Sequence, residues 1–123
     1  MGTQLMNNNA EVLFKAMSDE TRLRALMLLV AEGELCVCEL TYALDIIQPK
    51  ISRHLAQLRD TGVVVARRQG QWVYYSLAPQ LPTWAVKVLQ TTAGGVANEP
   101  LFARDRRALH SMPNRPGAAC CSS

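Results

Sequence analysis

The chain has 123 residues, 49% of them hydrophobic, enough for one domain to bury a core without metal or disulfide staples. No apolar run approaches the roughly 20 residues that span a bilayer, and the opening M-G-T-Q-L-M-N-N-N lacks the charged and apolar regions of a signal peptide; a cytoplasmic protein without a membrane partner is expected. The net charge of +3 is unevenly placed, with three Lys/Arg against seven Asp/Glu in residues 1–47 but five against one in residues 48–71, so a basic block in mid-chain is either a phosphate-binding face or a solvated surface.

Asn7 to Asn9 offer caps for a short helix carrying Leu13, Phe14 and Met17, and Ser18 or Asp19 can cap a second. Leu23, Leu26, Met27 and Val30 give that second helix one apolar face, and Gly33 can stop it. Leu40, Ala43 and Leu44 mark a third helix starting near Cys36 or Val37. Pro49 is tolerated in a first helical turn but not in an interior, so a fourth helix begins near Gln48, with Ile51, Leu55 and Leu58 inward and Asp60-Thr61-Gly62 closing it. V-V-V-A-R-R and W-V-Y-Y-S-L, joined through Gln69-Gly70-Gln71, predict a β-hairpin. Leu81, Trp84, Ala85, Val88 and Leu89 mark a last amphipathic helix with Pro82 in its first turn and Gly94-Gly95 as its stop.

The expected fold is mainly α with a small β-hairpin: four helices, two strands, one helix. Two helices joined by a tight turn and followed at once by a hairpin form a winged helix-turn-helix pattern. The expected division is a DNA-binding and dimerisation domain over 1–95 and a flexible tail over 96–123 that contains Cys120-Cys121. With Ile51, Leu55 and Leu58 inward, Pro49, Lys50, Arg53 and Gln57 point outward and Ser52 lies toward one flank. These are side chains that bond phosphates and base edges. Gln48 stands in the first turn, where a recognition helix enters the groove. His54 sits at the apolar boundary and is either bonded locally or a DNA contact. Arg67 and Arg68 either touch backbone phosphate from a wing or decorate a solvated hairpin. The stripe of Trp84, Val88 and Leu89, joined by the first helix at Leu13, either packs within one subunit or forms the seam of a two-fold dimer. A dimer would read an imperfect palindrome in double-stranded DNA.

Cys36 and Cys38 stand in E-L-C-V-C-E-L. They form a metal-binding pair, a redox pair, or two small apolar core residues; in a reducing cytoplasm structural disulfides are disfavoured. A helix start flanked by Glu34 and Glu39 is a poor place to hide both, which favours the first two readings. On a regular helix residues i and i+2 point about 200° apart, so joint ligation needs an irregular or opened first turn.

F-K-A-M-S-D-E-T-R-L-R-A-L, E-L-C-V-C-E-L, Q-P-K-I-S-R-H-L-A-Q-L-R-D-T-G-V-V and R-R-Q-G-Q-W-V-Y-Y-S-L, spread over Leu13 to Leu89, resemble the ArsR/SmtB family of metal- and metalloid-responsive repressors, and most of all its arsenic-responsive branch. The resemblance implies a homodimeric winged helix repressor, not an enzyme, with no permanent cofactor. It implies release from its operator when trivalent arsenic, antimony or an organoarsenical binds Cys36 and Cys38. The branch's pattern is C-x-C-x-x-C, whereas Thr41 occupies the third position here. Cys120 or Cys121 is a candidate third ligand, or the tail has no sensing role. Leu81 to Gln90 holds no His, Asp or Glu, so the family's zinc-type site on the last helix is not expected. Cadmium, lead or mercury sensing, redox sensing, a thiol-dependent reductase and a constitutive DNA-binding module are the competing readings.

Overall fold

A computed structural model describes residues 10–113 and 115 of the chain. The elements are α1 (Ala10–Met17), α2 (Glu20–Glu32), β1 (Glu34–Cys36), α3 (Val37–Leu44), α4 (Gln48–Asp60), β2 (Val64–Gln69), β3 (Trp72–Leu77), α5 (Thr83–Val96) and α6 (Pro100–His110). Asp19 caps α2 by accepting the Arg22 N–H at 3.1 Å, and Gly33, at a φ of 88°, ends it. That backbone angle is one L side chains rarely adopt, and it turns the chain directly into β1.

The strands form one antiparallel sheet in the order β1-β3-β2. Cys36 lies opposite Tyr74, and the β2–β3 hairpin closes with Gln69 opposite Trp72 around Gly70, at a φ of 64°. Strand β1 was absent from the sequence-based expectation, because three residues leave no alternation to read; the edge of β3 supplies its partner. Helices and sheet share one core in which Leu26, Leu35, Leu40, Ile51, Leu55 and Leu89 are almost wholly buried. The fold is a winged helix, with α3 and α4 as the helix-turn-helix and β2–β3 as the wing.

Two expectations about the C-terminal third are corrected. Helix α5 does not stop at Gly94-Gly95 but continues to Val96, because Ala93 and Val96 pack against the core and outweigh a glycine cost of about 1 kcal/mol each. Residues 100–110, assigned to a flexible tail, form α6, with Pro100 in its first turn. Phe102 and Leu109 are buried, and between them Asp105, 1% exposed, receives Arg24 in a fork at 2.9 and 2.8 Å. Arg24 also donates to the Leu44 carbonyl at 3.0 Å, so one guanidinium ties α2, the end of α3 and α6 together. The inward stripe was missed because its middle member is charged. Among the described residues no helix is long and apolar enough to cross a membrane.

Candidate nucleic-acid interface and thiol site

Helix α4 presents the expected face. Ile51, Leu55 and Leu58 are buried against the core, which leaves Gln48, Pro49, Lys50, Arg53 and Gln57 exposed and Ser52 half-buried on the flank. His54 is engaged locally in this structure: its Nδ1 lies 3.4 Å from Arg22 Nη1 and its Nε2 3.9 Å from Asp19. Burial pushes the ring's pKa below the ordinary histidine value, against the pull of Asp19. Arg22 also donates to Gln57 Oε1 at 3.2 Å and to the carbonyls of Ala16 and Lys15 at 3.1 and 3.2 Å. Arg22 therefore braces the outer rim of α4 against the α1–α2 corner, a role that its place one turn inside a capped helix did not signal.

The two wing arginines differ. Arg67 forks onto Glu34 of β1 at 2.9 and 2.7 Å, donates to Gln69 Oε1 at 2.6 Å and lies 4.7 Å over the Tyr74 ring. Its guanidinium holds the Glu34 carboxyl below the usual carboxylate range. Arg68 is exposed on the other face of the strand. Arg67 thus staples the sheet, while Arg68 offers its charge outward.

Cys36 is the last residue of β1 and the N-cap of α3, with an extended backbone (φ −76°, ψ 154°), and Cys38 lies in the first helical turn. The irregularity that joint ligation requires is therefore built in at the strand–helix junction. The expected exposed start is corrected, since Cys36 is 2% exposed and Cys38 half-buried; pairing with β3 draws Leu35 and Cys36 inward. Burial pushes the Cys36 thiol up from its ordinary value, the backbone N–H groups of Cys38, Val73 and Val37 oppose this, and Glu39 adds to it. Glu39, itself buried, accepts the Cys36 N–H at 2.8 Å and Arg115 Nε at 2.7 Å. The sequence reading missed this brace, because Arg115 is remote in the chain. Cys36 is a free thiol. Among the described residues no three His, Cys, Asp or Glu side chains gather as a metal site, and Thr41 Oγ1 is buried without a partner. Cys120 and Cys121 lie outside the described residues.

The proposed dimer residues separate. Leu13 and Leu89 are 0% exposed inside the chain itself, so neither is available to a second subunit, and Phe14 and Trp84 stand outside them. Phe14 is 53% and Trp84 37% exposed, and Phe14 shares a shallow depression with Lys87, Val88, Thr91 and Thr92.

Residues 19–65, from the cap of α2 to the start of the wing, match the model for "Bacterial regulatory protein, arsR family". The chain is 53% identical to the arsenic resistance transcriptional regulator ArsR2 of Pseudomonas putida over 111 residues, 89% of this chain and 95% of that protein. The chain belongs to the ArsR family. It is also 57% identical over 77 residues to the arsenical resistance operon repressor of Escherichia coli, covering 63% of this chain and 66% of that one. In three dimensions it is similar to HlyU from Vibrio cholerae, with a TM-score of 0.65 at 36% identity over 72% of this chain and 91% of that one. Within this ArsR-family chain the family match spans both the thiol junction and α4. The brace from Arg115 and the whole of α6 lie beyond it.

Proposed function

We propose that the chain is an operator-binding transcriptional repressor, a homodimer that leaves an imperfectly palindromic site when trivalent arsenic or antimony binds the thiolates of Cys36 and Cys38. The observation that carries this reading is the position of the pair. The two cysteines straddle the junction into α3, the helix that supports α4, so a metalloid bridging them pulls on the element behind the DNA-facing helix. Soft thiolates suit trivalent arsenic and antimony by the ligand-softness logic that assigns them to soft metal ions. Two sulfurs complete the shell of an arsenical carrying one organic group, and inorganic arsenite takes a third ligand, for which Cys120 or Cys121 is the candidate. Gln48, Lys50, Ser52 and Arg53 meet the DNA, Arg68 adds a phosphate contact, and Phe14, Trp84 and Val88 form the dimer seam. The protein acts in the cytoplasm without a permanent cofactor and is not an enzyme.

The test is an operator-complex titration with arsenite, phenylarsenite, antimonite, cadmium and zinc under reducing conditions. Wild type is released by the first three, and Cys36→Ser/Cys38→Ser remains bound with unchanged affinity for DNA. A coupling of about 1–3 kcal/mol corresponds to release by several-fold to roughly a hundredfold. Release of the double variant by arsenite at the wild-type concentration rejects the sensor assignment.

A further inference from the structure

Ile47 is not used by any role described so far. It is the N-cap of α4, with an extended backbone (φ −60°, ψ 146°), and at 71% exposure it is the most exposed large apolar side chain among the described residues. An N-cap is where Ser, Thr, Asp or Asn stabilises a helix by accepting a first-turn N–H. Here no side chain caps the helix. The position therefore forgoes a cap and exposes an isoleucine at once, two costs that folding alone does not reward. The geometry also holds the side chain out. Ile46, its neighbour, packs against the core, Pro49 fixes the first turn, and a β-branched side chain has little freedom about its first torsion.

Ile47 directly precedes the exposed Gln48, Pro49 and Lys50, and is thus continuous with the DNA-facing surface of α4. Base edges in the major groove are mostly hydrogen-bonding groups; the apolar feature a side chain can meet there is the thymine 5-methyl group. We propose that Ile47 reads a thymine methyl group in each operator half-site. The side chain gains by burying apolar surface against that methyl, and cytosine, which lacks it, is rejected. This proposal rests on α4 being the recognition helix.

The experiment uses the full-length reduced protein and its operator duplex, with each thymine replaced in turn by deoxyuridine, which lacks only the methyl group. Affinities are measured by fluorescence anisotropy for wild type, Ile47→Ala, Ile47→Ser and Arg53→Ala. At one thymine per half-site, deoxyuridine weakens wild-type binding about fourfold, the factor for one methyl-sized apolar group, and leaves Ile47→Ala and Ile47→Ser unaffected. Ile47→Ser also melts at a higher temperature, because it restores the cap, so its lost methyl response is not a folding defect. A deoxyuridine penalty equal in wild type and Ile47→Ala at every thymine overturns the proposal. Arg53→Ala separates the two levels of the argument: wild-type affinity in that variant overturns α4 as the reading helix. Weakened Arg53→Ala binding with no Ile47-dependent thymine overturns the Ile47 assignment alone.

Discussion

The exposed polar side of α4 and the β1–α3 junction are neighbours in the chain but opposites in construction. On α4 the polar and basic side chains proposed to meet DNA are exposed, and the helix is held from behind by Ile51, Leu55 and Leu58. At the junction the chemistry is enclosed: Cys36 is buried, its N–H is bonded to Glu39, and Glu39 is held by Arg115. The difference teaches how binding and response can be placed on adjoining elements of one small fold. In the proposed repressor an open face binds as built, whereas a closed thiol is reached only when its surroundings yield, and that yielding is what a switch needs.

The largest test concerns what holds the closed side shut. Asp105→Ala strips the partner from a buried guanidinium that ties α2, α3 and α6, and should cost about 3–5 kcal/mol in urea unfolding; a loss below 1 kcal/mol would show that α6 is not integral to the fold. On the open side, Arg53→Ala should lower operator affinity by roughly 1–3 kcal/mol with thermal stability unchanged, as read by anisotropy and melting. Smaller still, Arg68→Ala should reduce the slope of log affinity against log salt by about 1. Arg67→Ala should instead destabilise the sheet, and equal salt slopes in the two variants would erase the distinction between them.

The smallest effect belongs to His54, at the border between the two regions. Its folded pKa is lowered by burial, with Arg22, Lys50 and Arg53 acting in the same direction and Asp19 against. The unfolded chain therefore binds the proton more readily, so this contribution is present above about pH 6.5 and is lost as pH falls through the lower folded value. Melting temperatures between pH 7.5 and 5 should accordingly fall further in wild type than in His54→Gln.

Much of the open side was legible in the sequence, and much of the closed side was not. Pro49 and the spacing of Ile51, Leu55 and Leu58 oriented α4 because a helix with one apolar face has one way to sit on a core. The hairpin followed from two β-rich runs around Gly70. Helix α6 escaped because its inward stripe passes through Asp105, a residue whose burial makes sense only with Arg24 opposite. Leu13 and Leu89 were placed at a subunit seam because periodicity marks an apolar face without saying which side of it is covered. Cys36 was expected near the surface because its neighbours are acidic; β1, invisible in three residues, drew it inward.

The sequence by itself determined the winged helix order, the outward-facing residues of α4 and the placement of two cysteines ahead of it, since local periodicity, turn chemistry and spacing are properties of neighbouring residues. Only the tertiary structure decided that Cys36 is buried, that Arg67 serves the sheet while Arg68 faces outward, and that Arg24, Glu39 and Arg115 lock the closed side. Each of those outcomes depends on a partner dozens of residues away, and burial, charge pairing and thiol reactivity are set by that partner.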